Sequence, residues 1–500
     1  MKVPLTVDTS LIDRPLWRAD DLGRPLPLSP HANSVCLPTW SDVIGYEEGD
    51  PRVLDRLQTG YPRFFIHPAT ERLFREAADR FAQGDEFCHV YPSPATAERC
   101  REWIARWTGL SGRIVAWSDA GPWVICFPRP ATRAAKKYWR HAGEGVSSRM
   151  AQACWQGEQQ PDARQAKQTV RERIADLARA PVDCVRLFGS GMSAIYAVHR
   201  AIQHIVPGRR SVQFGFPYVD TLKIQQDLGP GVHFFPRGDR QELRQLADLL
   251  RSEPVSAIFC EFPSNPLLVS PDVAALADLG RRHDVPLIVD ETLATYVNVD
   301  VRPWADVLVT SLTKYFTGVG DVLAGAVVGN PNSPWFQRLW DVITQQYEDL
   351  LWGGDAILLE QYSRDFPERM RQINRTAEQI CQFCSSHPAI QRVYYPWYNT
   401  PDHFSAAQLP DGGYGGLFSL LLKDAPQTAP AFFDALPWCK GPNLGTHFSL
   451  CCPFTMLAHF EELDWAEACG VSRYLLRFSV GLEPADMLID RLQQALDRIW

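Results

Sequence analysis

No stretch of about 18 apolar residues runs through this sequence without charge, which excludes a membrane-spanning helix of ordinary length. The opening residues Met1-Lys2-Val3-Pro4-Leu5 lack the apolar core of a secretory signal, so the expected compartment is the cytoplasm. A basic excess is missing too. Lys and Arg number 50 against 58 Asp and Glu, a net charge of −8, which argues against a nucleic-acid platform. Cysteine is present, at 13 residues, but not at zinc-site spacing. The one Cys-x-x-Cys, Cys381 with Cys384, falls in a helical stretch with no second pair after it. No metal site is expected, and the odd number of cysteines reads as reduced thiols. Internal repeats and low-complexity tracts are absent. With 45% hydrophobic and 22% charged residues, the composition excludes a disordered chain, a coiled coil and a fibre.

What is there is a large α/β protein. At roughly 150 residues per domain, 500 residues predict two or three domains. Residues 1–66 are rich in Pro, Asp and Gly without a sustained period, and read as an extended arm lying on another surface. Residues 67–165 read as a small inserted α/β unit. A helical pattern opens it, and Arg113-Ile114-Val115-Ala116-Trp117 and Trp123-Val124-Ile125-Cys126-Phe127 look like strands. Over 166–370 the pattern becomes regular. Ala257-Ile258-Phe259-Cys260, Leu287-Ile288-Val289, Val307-Leu308-Val309 and Ala326-Val327-Val328 are short apolar runs separated by helices. They predict a mostly parallel central sheet with helices on both faces. Residues 371–500 read as a smaller α+β domain. Arg477 lies there in a strand over 475–480, and a last helix begins at Pro484 with the stripe Leu488, Leu492, Leu496, Ile499.

Four segments carry chemistry. Gly189-Ser190-Gly191-Met192-Ser193 is a strand-to-helix junction whose free N–H groups suit phosphate, although a plain tight turn has the same look. In Leu287-Ile288-Val289-Asp290-Glu291-Thr292 an acid ends a buried strand, at the edge where open α/β sheets bind ligands; capping the next helix is the plainer role. In Val309-Thr310-Ser311-Leu312-Thr313-Lys314-Tyr315 a lysine follows a buried strand, a costly place for an ammonium without a role. Such a setting frees an amine for a Schiff base, with Ser311 and Thr313 as phosphate donors. Arg477, on a half-buried strand, suits a fixed carboxylate, or else pairs with a local acid. In that order, the four match a lysine-bound pyridoxal phosphate with an acid against its ring nitrogen.

Ser190-Gly191-Met192, Val289-Asp290-Glu291-Thr292 and Ser311-Leu312-Thr313-Lys314-Tyr315 resemble the Cys/Met-metabolism family of pyridoxal-phosphate enzymes. Thr59-Gly60-Tyr61-Pro62-Arg63-Phe64-Phe65, Gly143-Glu144-Gly145-Val146-Ser147-Ser148-Arg149 and Leu444-Gly445-Thr446 extend the likeness to the long, fungal-type cystathionine γ-synthases. The resemblance implies a type I pyridoxal-phosphate transferase fold and γ-replacement on an O-acylated homoserine with cysteine. Cystathionine or methionine lyase, or O-acylhomoserine sulfhydrylase, are the alternatives on that scaffold. A nonenzymatic regulatory protein keeping the fold is the alternative outside it. The resemblance assigns Lys314 as covalent anchor and acid/base and Asp290 as partner of the ring nitrogen. Gly191, Met192, Ser311 and Thr313 would hold the phosphate, Tyr218 would stack on the ring, and Asn265 would lie near the ring hydroxyl. Arg477 would clamp the substrate carboxylate. Tyr61 and Arg63 would reach the phosphate of a neighbouring subunit in a homodimer or a dimer-of-dimers tetramer. The chain departs from the family at Leu312, Val319, Asn443 and Phe448, the last two expected near the substrate pocket. The inserted unit carries no readable function beyond padding or an oligomer contact.

Overall fold

Three sheets organise the described residues, and the edge of the largest places the site. The structure, a computed structural model, describes residues 9–62, 65–118 and 121–500. Among the described residues no helix is long and apolar enough to cross a membrane.

The first sheet belongs to the inserted unit. Strands β1 (Glu86–Tyr91), β2 (Arg113–Ala116) and β3 (Trp123–Pro128) lie in the order β1-β3-β2, all antiparallel. Helices Pro68–Phe81, Pro94–Thr108, Thr132–Ala142 and Ser148–Gln156 flank them. Helix Pro94–Thr108 shows why such segments form. Ser93 and Thr96 cap it reciprocally, Pro94 sets its first turn, and left-handed Gly109 ends it.

The central sheet holds β4 (Val185–Phe188), β5 (Ser211–Phe214), β6 (Val232–Phe235), β7 (Ile258–Glu261), β8 (Leu287–Asp290), β9 (Val307–Ser311) and β10 (Gly325–Gly329). Their order is β4-β10-β9-β8-β7-β5-β6. From β9 through β6 the pairing is parallel, but β10 runs antiparallel to both neighbours. A run buried on both faces looks the same in either direction, so its composition does not reveal this. The connection does: 312–324 contains no crossover helix, which a parallel return would need. The carboxyl ends of β7, β8 and β9 therefore open side by side, bearing Glu261, Asp290 and Ser311, with Glu261 in register with Asp290.

The third sheet holds β11 (Ile390–Tyr394), β12 (Leu417–Leu422), β13 (Cys439–Lys440), β14 (Leu450–Pro453) and β15 (Leu476–Ser479), in the order β11-β12-β15-β14-β13. Arg477 sits on the central strand β15, opposite Ser419 on one side and Cys452 on the other. The last helix spans Ala485–Leu496. Pro484 is its cap in an extended conformation rather than its first residue, and Leu488, Leu492 and Leu496 are buried. Cys381 and Cys384 are buried free thiols in helix Phe366–Ser386.

The arm docks on its own chain. Asn33 N–H donates to the Gly320 carbonyl at 2.8 Å, and Leu37 N–H to that of Lys440 at 3.0 Å. Trp40 N–H donates to Asp434 Oδ1 at 2.7 Å. Phe448 belongs to this contact, packing with Leu11, Leu26, Cys36 and Leu450. It does not line the cavity described below, contrary to the expectation from its sequence position: an apolar ring on that segment is better satisfied under the arm.

Candidate active site

One cavity of about 190 Å³ opens at the carboxyl ends of the central strands. Gly191, Met192, Tyr218, Asn265 and Asp290 line it, and so do Ser311, Thr313, Lys314, Tyr61 and Arg477. Asn443 reaches it through Lys314. Arg63 lies outside the described residues.

Lys314 follows β9 in the tight turns that lead to β10, and only 9% of it is exposed. Its Nζ donates to Asn443 Oδ1 at 2.6 Å and to Tyr61 OH at 3.0 Å, and it sits 4.7 Å from the centre of the Tyr61 ring. Both partners are neutral, so the amine is oriented without being locked into an ion pair. Tyr61 comes from the same chain. The resemblance implied a contact across a subunit boundary; within this chain the arm brings its own Tyr61 to Lys314. Tyr218 OH donates to Tyr61 OH at 3.4 Å.

Asp290 is a carboxylate without a cation among the described residues. Its Oδ1 accepts from Thr292 N–H at 2.9 Å and from Thr292 Oγ1 at 2.6 Å, and burial pushes its carboxyl up. Glu261 beside it is pushed up further, by its own burial and then by the charge of Asp290; it accepts from Tyr218 N–H at 2.5 Å. Arg477 is the opposite case, a buried guanidinium without an anion among the described residues. Its Nη1 donates to Asn265 Oδ1 at 3.1 Å and Nη2 to the Pro442 carbonyl at 2.7 Å, and it lies over Phe454. Removing ions from water is costly unless something of opposite sign arrives. The cavity thus presents a positive end at Arg477 and a negative floor at Asp290.

The third side is the N-terminus of a helix, whose first N–H groups face the cavity lining at Gly191 and Met192. Ser190 caps helix Gly191–Ile205, its Oγ accepting from Ser193 N–H at 3.0 Å. A Cβ at Gly191 would lie 2.7 Å from that of Ser311, so only glycine brings this backbone so near β9. Thr313 differs from its expected role in one respect. Its hydroxyl donates to the Ala324 carbonyl at 3.2 Å and accepts from Ala324 N–H at 3.0 Å, tying the turn to the start of β10.

Sequence reasoning missed several residues of this cavity. Glu261 obeys the strand-end rule that exposed Asp290, one strand over. Trp139, Arg140, Gly143, Gly145 and Val146 also line the cavity, and all come from the inserted unit. No motif marked them as site residues.

Comparison with known proteins agrees with this architecture. The family described as Cys/Met metabolism PLP-dependent enzyme matches residues 163–497, and the fungal trans-sulfuration enzyme N-terminal domain matches 69–147. A cystathionine gamma-synthase of Neurospora crassa is 35% identical, with 95% of this chain and 98% of that one covered. An alanine racemase of Aspergillus violaceofuscus is 31% identical, with 95% and 96% covered. The solved cystathionine gamma synthase of Xanthomonas oryzae pv. oryzae shares the fold at a TM-score of 0.59 and 24% identity, over 67% of this chain and 86% of that one.

Proposed function

The chain belongs to the Cys/Met metabolism PLP-dependent enzymes, and on that premise we propose that it joins an O-acyl-L-homoserine to L-cysteine, giving cystathionine. The observation that carries this reading is the similarity to the Neurospora crassa cystathionine gamma-synthase, which covers 95% of this chain.

The residues present fit pyridoxal phosphate. Asp290 is a buried carboxylate in need of a cation, which a protonated ring nitrogen supplies. The cradle at Gly191, Met192 and Ser311 suits a phosphate, and Lys314 is a buried primary amine between them. When bound, pyridoxal phosphate supplies an electron sink for the carbon that bears the substrate amine. The protein's part is to hold and move protons. Arg477 grips the α-carboxylate with a planar fork that fits two oxygens. Lys314 Nζ takes the proton from Cα, would hand it on to the conjugated system that the cofactor supplies, and is then free to take one from Cβ, while Tyr61 and Asn443 keep the amine aimed. The acyl group departs from Cγ as a carboxylate, the cysteine thiolate forms the new C–S bond there, and Lys314 returns protons to Cβ and Cα.

The test is product analysis with O-acetyl- and O-succinyl-homoserine, with and without cysteine. Cystathionine made only when cysteine is present supports the proposal. An oxo acid and ammonia formed equally well without cysteine would make elimination the main reaction and overturn it. The relative named alanine racemase favours a second reading, in which Lys314 and Tyr61 exchange the Cα proton only. D-alanine formed from L-alanine, with no cystathionine, would select it.

A further inference from the structure

The inserted unit is an active part of the site: we infer that its helix Thr132–Ala142 positions two of the segments that meet the cofactor, through Gly143 on one side and His141 on the other.

On the first side the fit leaves no slack. Gly143 ends the helix in the left-handed conformation, at φ 65°. A Cβ there would lie 2.5 Å from Met192 Cβ, 2.6 Å from Ser190 Oγ and 3.0 Å from Ser193 N. Ser190 Oγ donates to the Gly143 carbonyl at 2.8 Å. The hydroxyl that caps the phosphate-facing helix is thus itself held by the inserted unit. Glu144, next in the chain, takes a two-pronged contact from Arg99 at 2.7 and 3.0 Å and a hydrogen bond from Tyr138 OH at 2.7 Å. It also lies 3.9 Å from Arg200 of helix Gly191–Ile205. On the second side, His141 Nδ1 is 2.7 Å from Asp220 Oδ1, with both residues buried. Asp220 lies two residues after Tyr218, so the contact sets where that ring stands. Apolar packing joins the same faces: Ala134, Ala135 and Ala142 share a core with Ala194, Ile195 and Val198. Between the two contacts, Trp139 walls the cavity. Phe74 holds its ring edge-on at 5.1 Å and Tyr91 at 5.6 Å, and Gly145 packs against it so closely that a Cβ there would lie 2.3 Å from the ring.

This inference rests on the family's cofactor and on its contact with Gly191, Met192 and Tyr218, not on which nucleophile is used. The experiment therefore reads cofactor binding and no turnover. The full-length apoprotein is titrated with pyridoxal phosphate, following the absorbance of the bound cofactor. Gly143→Ala is compared with Gly157→Ala. Gly157 also ends a helix in the left-handed conformation, at φ 73°, but nothing stands within 4 Å of its missing Cβ. The backbone strain is the same in both; only the first pushes on the phosphate loop. The expected result is about tenfold weaker binding for Gly143→Ala and little change for Gly157→Ala. His141→Ala is expected to weaken binding too, and His141→Asn, which keeps a donor toward Asp220, to restore much of it. Equal affinity in Gly143→Ala and Gly157→Ala overturns the first contact. Unchanged affinity in His141→Ala, or a loss that asparagine does not relieve, overturns the second. If Gly143→Ala fails to fold, the histidine pair decides alone.

Discussion

Asp290 and Arg477 are buried ions of opposite sign that never meet, and at the residue scale this explains the site. Each is held by neutral partners, Thr292 for the carboxylate and Asn265 with a carbonyl for the guanidinium. Such arrangements lose stability in order to bind charge. Asp290→Asn is therefore expected to lower turnover by about 100-fold or more with cofactor bound, yet to raise the melting temperature of the cofactor-free protein. The sign with pH follows. Burial raises the folded carboxyl, so the unfolded chain releases its proton first, and stability falls as pH rises toward and through the folded value. Cofactor-free Asp290→Asn lacks that fall, and parallel melts over acid to neutral pH check it. Lys314→Ala is expected to fold and lose turnover, and borohydride reduction of the parent protein should fix the cofactor on Lys314; a label on another lysine refutes it. Arg477→Lys is expected to raise KM about tenfold or more while cofactor affinity holds, because an ammonium cannot grip two oxygens. Much of this was legible. A lysine and an acid at the ends of buried apolar runs stand out because burial without purpose is costly. Glu261 is hidden, since its strand reads as ending at Cys260. Trp139 has no signature until the fold brings it into place, and Gly143 stands in a block that marks the resemblance but carries no role.

At the element scale, direction and docking are what the pattern hides. The run Ala326-Val327-Val328 announces a strand but not that it returns antiparallel, and Pro484 serves as a cap as readily as a first residue. The arm's contact with β13 rests on a buried lysine. Lys440 Nζ donates to the carbonyls of Pro38 at 2.9 Å and Asp434 at 3.1 Å, and also to that of Phe433. Burial draws its pKa from 10.5 down to about 8. Between those values the unfolded chain holds the extra proton, so this lysine's own contribution to stability rises with pH across that interval. Lys440→Met removes the rise. Urea melts at pH 7.5 and 9.5 should show the gap between parent and variant shifting in the parent's favour. A gap that shifts the other way, or not at all, means that the lysine is solvated.

At the scale of the whole molecule, the arm, the inserted unit and the central sheet meet over one cavity within one chain. Within the chain, Tyr61 reaches from the arm to Lys314. The resemblance implied sharing, and sequence alone offers no way to choose, because an arm with little core of its own docks equally well on either chain. The expected result of mixing Lys314→Ala with Tyr61→Ala subunits is no recovery of activity in verified mixed oligomers, since every chain carries its own defect. Recovery would place Tyr61 in the neighbour's site. The inheritance of the trait follows from the same closure. Two alleles damaged at different site residues should fail to complement each other in a diploid, and a damaged copy should not poison a sound one. If every chain carries its own complete site, gene dose rather than the pairing of copies sets the catalytic capacity of the cell.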